Sequence, residues 1–249
     1  MYKRLTSLLL ALIMCFALSV TAFAEENTAN YWEMNEESLA ALVGTDVADI
    51  KNMKEVYGED FNETIQWYLE ATRDLRVNSS RVDVRVSDWS SFSSVTNTGS
   101  IILSKDGTFS SYRHGHAALC YINSGSTFDV VEHPGVGQRS VRQGANISFA
   151  GATTLASFIP KNATTQQKAS AVSYADSNLV GWSYSALASR GSSTYLNCAT
   201  LVWKAYDAAG VQVCDDDDST ITVIPSQYDD TRYTTRLYAN SAYINTSWN

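Results

Sequence analysis

The middle of the chain constrains the fold more than any other part of the sequence. Short apolar runs rich in β-branched residues follow one another there, separated by turn-forming residues, which is typical of strands. The predicted strands are residues 81–86, 101–103, 116–122, 127–131 and, with a weaker pattern, 147–149 and 155–159. Helical patterns follow, from Thr164 or Thr165 to Leu179 and from Cys198 to Ala209. Antiparallel strands with helices before and after them predict an α+β domain.

The beginning of the chain differs in composition from this middle part. Residues 33–75 are rich in Glu, Asp, Ala, Leu and Lys, and their apolar residues recur at helical spacing. This pattern predicts two or three short amphipathic helices. We therefore expect a helical N-terminal segment over residues 25–80 and the α+β domain over residues 81–249.

An export leader is predicted over residues 1–24. Lys3 and Arg4 precede an apolar run from Leu8 to Val20, and Ala22-Phe23-Ala24 supplies a cleavage pattern. The apolar run is too short to span a membrane comfortably. We therefore expect cleavage after Ala24, no stable membrane anchor and a secreted protein.

The charge of the chain limits the class of partner. Removal of the leader takes away Lys3 and Arg4 but no acidic residue, so the formal net charge changes from −8 to −10. A nucleic-acid partner needs a basic surface, so none is expected.

Three cysteines remain after residue 24, and an odd number means that at least one is not in an intrachain disulfide. We expect Cys120 and Cys214 to be two buried thiols rather than a disulfide. Cys198 follows Asn197 in the first turn of a predicted helix, where free N–H groups and the helix dipole favour a thiolate. The same N–H groups can stabilise an oxyanion, which makes Cys198 a candidate nucleophile. A buried cysteine that only fills space remains the alternative.

The chain has three histidines, and a thiolate nucleophile needs an imidazole within hydrogen-bond reach. His116 opens an apolar strand and is the candidate base, whereas His114 is interpreted as a surface or structural histidine. A hairpin that turns near residues 123–126 brings Glu132 or His133 opposite His116, according to its register. Either side chain can accept a hydrogen bond from the imidazole and orient it, Glu132 more strongly because of its charge.

Several strings along the chain, in this order, resemble those of the YiiX/YebB-like hydrolases, which are circularly permuted relatives of the NlpC-type peptidases. The strings are Gly99-Ser-Ile-Ile-Leu-Ser104, Gly115-His-Ala-Ala-Leu119, Asp129-Val-Val-Glu132, Gly181-Trp-Ser-Tyr184, Asn197-Cys-Ala-Thr-Leu-Val-Trp-Lys-Ala-Tyr206 and Ile224-Pro-Ser226. The likeness covers roughly residues 97–235. The order of histidine, acid and cysteine suits the permuted arrangement, whereas an ordinary papain-like chain has its cysteine first. One departure is Ser100, which stands where the family usually has an acid.

The resemblance implies a papain-like core, with a central antiparallel sheet or half-barrel packed on helices. It also implies Cys198 as nucleophile, His116 as base and Glu132 as the orienting group. The substrate would be a cell-wall peptide or another amide, and no metal or organic cofactor is expected. Two alternatives remain at this point: a lipid acyl hydrolase or acyltransferase on the same fold, and a non-catalytic secreted binding module.

Overall fold

The computed structural model describes residues 30–43, 47–62, 65–66, 69, 89–106, 108–109, 112–113, 115–124, 126–135, 138–215 and 222–248. The predicted leader, the predicted strand over residues 81–86 and His114 lie outside these residues. None of the described helices has the length and apolar character needed to cross a membrane.

The described residues form an α+β arrangement around one large antiparallel sheet. The strands are β1 Ile101–Ser104, β2 Thr108–Phe109, β3 Tyr112–Arg113, β4 His116–Asn123, β5 Phe128–Glu132, β6 Val141–Gly144, β7 Ala156–Pro160, β8 Ser183–Tyr184, β9 Tyr195–Leu196 and β10 Thr234–Ala239. Six of them form the main sheet in the order β10-β7-β1-β4-β5-β6, and every neighbouring pair is antiparallel. The predicted α+β class and the strands over residues 101–103, 116–122, 127–131 and 155–159 are confirmed.

The helices lie before the sheet strands, between them and after them in the sequence. They are α1 Glu36–Val43, α2 Val47–Tyr57, α3 Trp89–Val95, α4 Ala145–Ser148, α5 Thr165–Tyr174, α6 Cys198–Ala208 and α7 Ser241–Asn245. A π-helical turn, Ala175–Leu179, continues α5. The predicted helices over residues 164–179 and 198–209 are confirmed. Thr164 caps α5 by accepting a hydrogen bond from the Gln167 amide, as helix starts of this type require.

Strand alternation gives the sheet two apolar faces. On one face Leu103, Leu119 and Val131 pack with the buried side of α6, including Leu201 and Tyr206. On the opposite face the neighbouring strand residues pack against α3 and the segment after α4, in a cluster that includes Ile102, Ala118, Val130, Phe92 and Phe149. Because successive side chains of a strand point to opposite faces, fully apolar strands are what a sheet covered on both sides needs.

The predicted strand over residues 147–149 is wrong. Ile147 and Ser148 belong to α4, which follows β6 directly at Gly144, and the Ile147 side chain is exposed. Three residues are too few for their periodicity to distinguish a strand from a helical turn. The helical turn directs the chain back across the sheet, and α4 contacts β5.

The hairpin of β4 and β5 turns later than the sequence suggested. The Ser124 amide donates to the Thr127 carbonyl at 2.9 Å, so the turn spans residues 124–127 instead of 123–126. A β-bulge between Cys120 and Ile122 then shifts the pairing again. Neither event leaves a clear pattern in the sequence, because a bulge only adds one residue to one strand.

Candidate active site

Cys198 is the first residue of α6, as the sequence predicted. The Asn197 side chain caps the helix by accepting a hydrogen bond from the Thr200 amide at 2.6 Å. The Asn197 amide group also donates to the Ala186 and Val223 carbonyls, both at 3.1 Å. Nδ2 also lies 2.7 Å from Thr222 Oγ1, so four contacts of one side chain fix the position of the backbone that carries the candidate nucleophile.

The start of α6 provides hydrogen-bond donors beside the thiol. The first amides of a helix have no partner within the helix. Within the described part of the chain, the amides of Cys198 and Ala199 have no hydrogen-bond acceptor. These two N–H groups are therefore free to bind an oxygen that develops negative charge next to the sulfur.

His116 is the first residue of β4, and the glycine before it determines how the chain enters the strand. Gly115 has a φ of +63°, and a Cβ at this position would collide with the Ser104 carbonyl and the Trp248 ring. The Phe149 ring lies 5.5 Å from the imidazole, measured between centroids. The His116 side chain is 22% exposed, so the imidazole is held in place while one part of it remains open to solvent.

Glu132 is the partner of His116. Its Oε2 lies 2.5 Å from His116 Nε2, and its side chain is almost completely buried. Neither predicted register is correct, because Glu132 pairs with Ala118 and not with His116. Glu132 and His116 are instead diagonal neighbours on one face of the sheet, a separation that long side chains can bridge.

His133, the other predicted partner, does not orient His116. Its Nε2 donates to the Trp182 carbonyl at 3.1 Å, and its ring packs against Tyr184 with centroids 5.0 Å apart. Burial lowers the pKa of His133 to about 4, so it is a neutral structural histidine at physiological pH.

Cys198, His116 and Glu132 interact electrostatically, and these interactions shift the pKa values of His116 and Glu132. Burial alone would lower the pKa of His116, but the charge of Glu132 and the hydrogen-bonding interaction with the Cys198 side chain raise it to about 10. Burial alone would raise the pKa of Glu132, but His116 and Gln143 lower it below its ordinary value. Because Nε2 of His116 is engaged by Glu132, Nδ1 is the ring nitrogen left for the Cys198 thiol.

Gln143 is a member of this cluster that the sequence did not indicate. Its Nε2 donates to Oε1 of Glu132, the oxygen that does not contact His116. Gln143 lies on β6, which pairs with β5 but shows too short and polar a pattern to be predicted as a strand. Only the three-dimensional pairing of these strands brings its amide to the carboxylate.

The remaining cysteines have no role in this cluster. Cys120 and Cys214 are buried thiols, which confirms that they are not joined in a disulfide. Within the described ranges, no group of three or more His, Cys, Asp or Glu side chains is arranged to hold a metal ion.

Comparison with protein-family models, with curated proteins and with solved structures finds no match to this chain. The chemistry of the cluster around Cys198 is therefore argued from its own residues.

Proposed function

We propose that this protein is a secreted cysteine hydrolase that cleaves amide or related acyl bonds through a thioester acyl-enzyme. One observation carries the proposal: the His116 imidazole is bonded to a buried carboxylate and lies close enough to the Cys198 side chain, at the start of a helix, for that side chain to raise its pKa. Thiol hydrolases require this arrangement, in which the nucleophile contacts a base and the base contacts a group that orients it.

The reaction follows from the positions of these groups. With His116 holding the proton that the Cys198 thiol has given up, Cys198 Sγ attacks the carbonyl carbon, and the N–H groups of Cys198 and Ala199 bind the oxyanion. The carbon–nitrogen bond then breaks, His116 gives the proton to the leaving amine, and a thioester to Cys198 remains. A water molecule, deprotonated by His116, attacks the thioester; the carbon–sulfur bond breaks, and the thiol is restored.

Glu132 supports each proton transfer. Its charge raises the pKa of His116, so the imidazole holds the proton that it takes from the thiol until the leaving amine receives it. The hydrogen bond between Glu132 and Nε2 also fixes the orientation of the ring and leaves Nδ1 for the proton transfer with Cys198.

For the fold we propose a permuted papain-like core. The antiparallel sheet with the cysteine-bearing helix α6 packed on it supports this assignment, as does the order of His116, Glu132 and Cys198 along the chain. For the substrate we propose a peptide of the bacterial cell wall. The predicted export leader supports a substrate outside the cytoplasm.

The test is the release of peptides from purified peptidoglycan, followed by mass spectrometry of the soluble products. Cys198→Ala and His116→Ala should each reduce the rate by about a thousandfold or more. Cys120→Ala is the matched control, because it removes another buried thiol of the same protein and should leave most of the activity. A Cys198→Ala protein that still released peptides would contradict the catalytic role.

Two further measurements test separately whether Cys198 is a reactive nucleophile and whether the substrate is a cell-wall peptide. Alkylation by iodoacetamide at mildly acidic pH should label Cys198 much faster than Cys120 or Cys214. Equal and slow labelling of all three thiols would indicate a non-catalytic binding module. Turnover of fluorogenic acyl esters without release of peptides would retain the nucleophile but contradict the cell-wall substrate.

A further inference from the structure

The N-terminal helical segment contains a cavity that is separate from the residues around Cys198. It has a volume of about 440 Å³ and is lined by Asn30, Trp32, Gly58, Glu59 and Asn62. This volume lies in the range of small-molecule sites. Gly58 leaves one side open, because no other atom lies within 4 Å of the place where its Cβ would be.

Trp32 presents a rigid aromatic surface at this cavity. The residue is 46% exposed, although large aromatic side chains gain most by burial. The indole packs edge-to-face on Phe61, with centroids 5.6 Å apart, and Phe61 lies in the core of the N-terminal helices. The Trp32 backbone N–H donates to Asn62 Oδ1 at 2.8 Å. The ring is therefore fixed before any ligand arrives.

The polar groups around Trp32 are also fixed, and they retain hydrogen-bonding capacity. Asn62 Nδ2 donates to Asn30 Oδ1 at 3.2 Å, which orders both amides. Among the described residues, a second hydrogen on Asn62 Nδ2 and both hydrogens of Asn30 Nδ2 have no acceptor and can donate to a ligand, and Glu59 supplies an acidic acceptor. The indole N–H has no acceptor among the described residues.

We propose that this cavity binds a pyranose ring of a glycan. The apolar C–H face of a sugar ring covers an aromatic face, while its hydroxyls at the ring edge bond to amides and a carboxylate. Lys54 Nζ lies 5.8 Å from the centroid of the Trp32 ring, but it also pairs with Glu36 at 4.0 Å. Glu59 and the formal net charge of −10 without the leader oppose a phosphorylated or otherwise strongly anionic ligand. The site would hold the protein on a glycan surface by contacts that do not involve Cys198.

The test is sedimentation of the full mature chain carrying Cys198→Ala with insoluble peptidoglycan, chitin and cellulose. The parent should sediment with at least one of these glycans, and Trp32→Ala should weaken this binding about tenfold. Leu42→Ala is the matched control, because Leu42 on α1 is exposed to a similar extent and does not line the cavity. A soluble oligosaccharide of the glycan that is bound should compete.

Two measurements distinguish loss of a binding contact from unfolding of the N-terminal helices. Trp32→Tyr keeps an aromatic ring over Phe61 and should retain binding within about fivefold, and thermal unfolding of each variant checks that the N-terminal helices remain packed. Absence of binding to all three glycans, or equal binding by the Trp32→Ala and Leu42→Ala proteins, would overturn the proposal. Binding is measured without the nucleophile, so its failure is distinct from a failure of peptide release by the intact protein.

Discussion

At the residue scale, substitution of Gln143 tests whether both oxygens of the Glu132 carboxylate must accept a hydrogen bond. Gln143→Leu leaves one oxygen of a buried carboxylate without a donor, which costs about 1–3 kcal/mol. The pKa of Glu132 should rise, and the pKa of His116 should fall with it. We expect kcat to drop about 10- to 100-fold with little change in KM, and the alkaline limb of the pH–rate profile to move to lower pH.

The matched control for this variant is Arg142→Ala, one position earlier on the same strand. Arg142 pairs with Asp176 at the surface at 2.9 Å and lies on the other face of β6. Its loss should leave the pH profile in place. If the two variants gave the same profile, Gln143 would have only a structural role.

Residue types and their positions in predicted elements made Cys198 and His116 candidates, and the family resemblance favoured both. A cysteine after an asparagine at the start of an apolar helix has a local signature, and a histidine that opens an apolar strand has another. Gln143 has no such signature, because its role exists only through a carboxylate on the neighbouring strand. The choice between Glu132 and His133 also depended on a register that a bulge alters.

At the element scale, the entry of the chain into β4 depends on Gly115. We expect Gly115→Ala to lower the free energy of unfolding by about 3 kcal/mol or more, because the added Cβ meets the Ser104 carbonyl and the Trp248 ring at a positive φ. Gly210→Ala is the control: its φ of +67° is similar, but a Cβ there meets no atom within 4 Å. Its cost should be about 1–2 kcal/mol in urea unfolding. Equal losses in the two variants would show that the contacts around Gly115 do not constrain the strand.

The elements themselves were predictable where they are long or uniform. Helices α5 and α6 carry caps and an apolar face over ten or more residues, and the apolar runs of β1, β4, β5 and β7 fit a sheet covered on both sides. The short elements were not predictable, because α4 and β6 each have four residues and acquire their structure from the neighbours on which they pack.

At the scale of the whole molecule, the pKa values of His116 and His133 are shifted in opposite directions. The pKa of His133 falls from its ordinary 6.5 to about 4, so its contribution to stability is present above pH 6.5 and is lost as the pH falls towards 4. The pKa of His116 rises from 6.5 to about 10, so its contribution is present below pH 6.5 and is lost as the pH rises towards 10. The lowered pKa of Glu132 adds to the loss of stability in acid.

These opposite shifts predict that the free energy of unfolding passes through a maximum near pH 6.5, which urea unfolding at intervals between pH 4.5 and 9 can measure. The decline on each side should be on the order of 2 kcal/mol. His133→Gln should flatten the acidic side only, because the unfolded chain then no longer takes up this extra proton. Glu132→Gln should flatten the alkaline side, because His116 loses the charge that raises its pKa. A stability that does not vary with pH in the unsubstituted protein, or a Glu132→Gln protein that keeps the alkaline decline, would mean that the His116–Glu132 pair does not stabilise the fold through its charge.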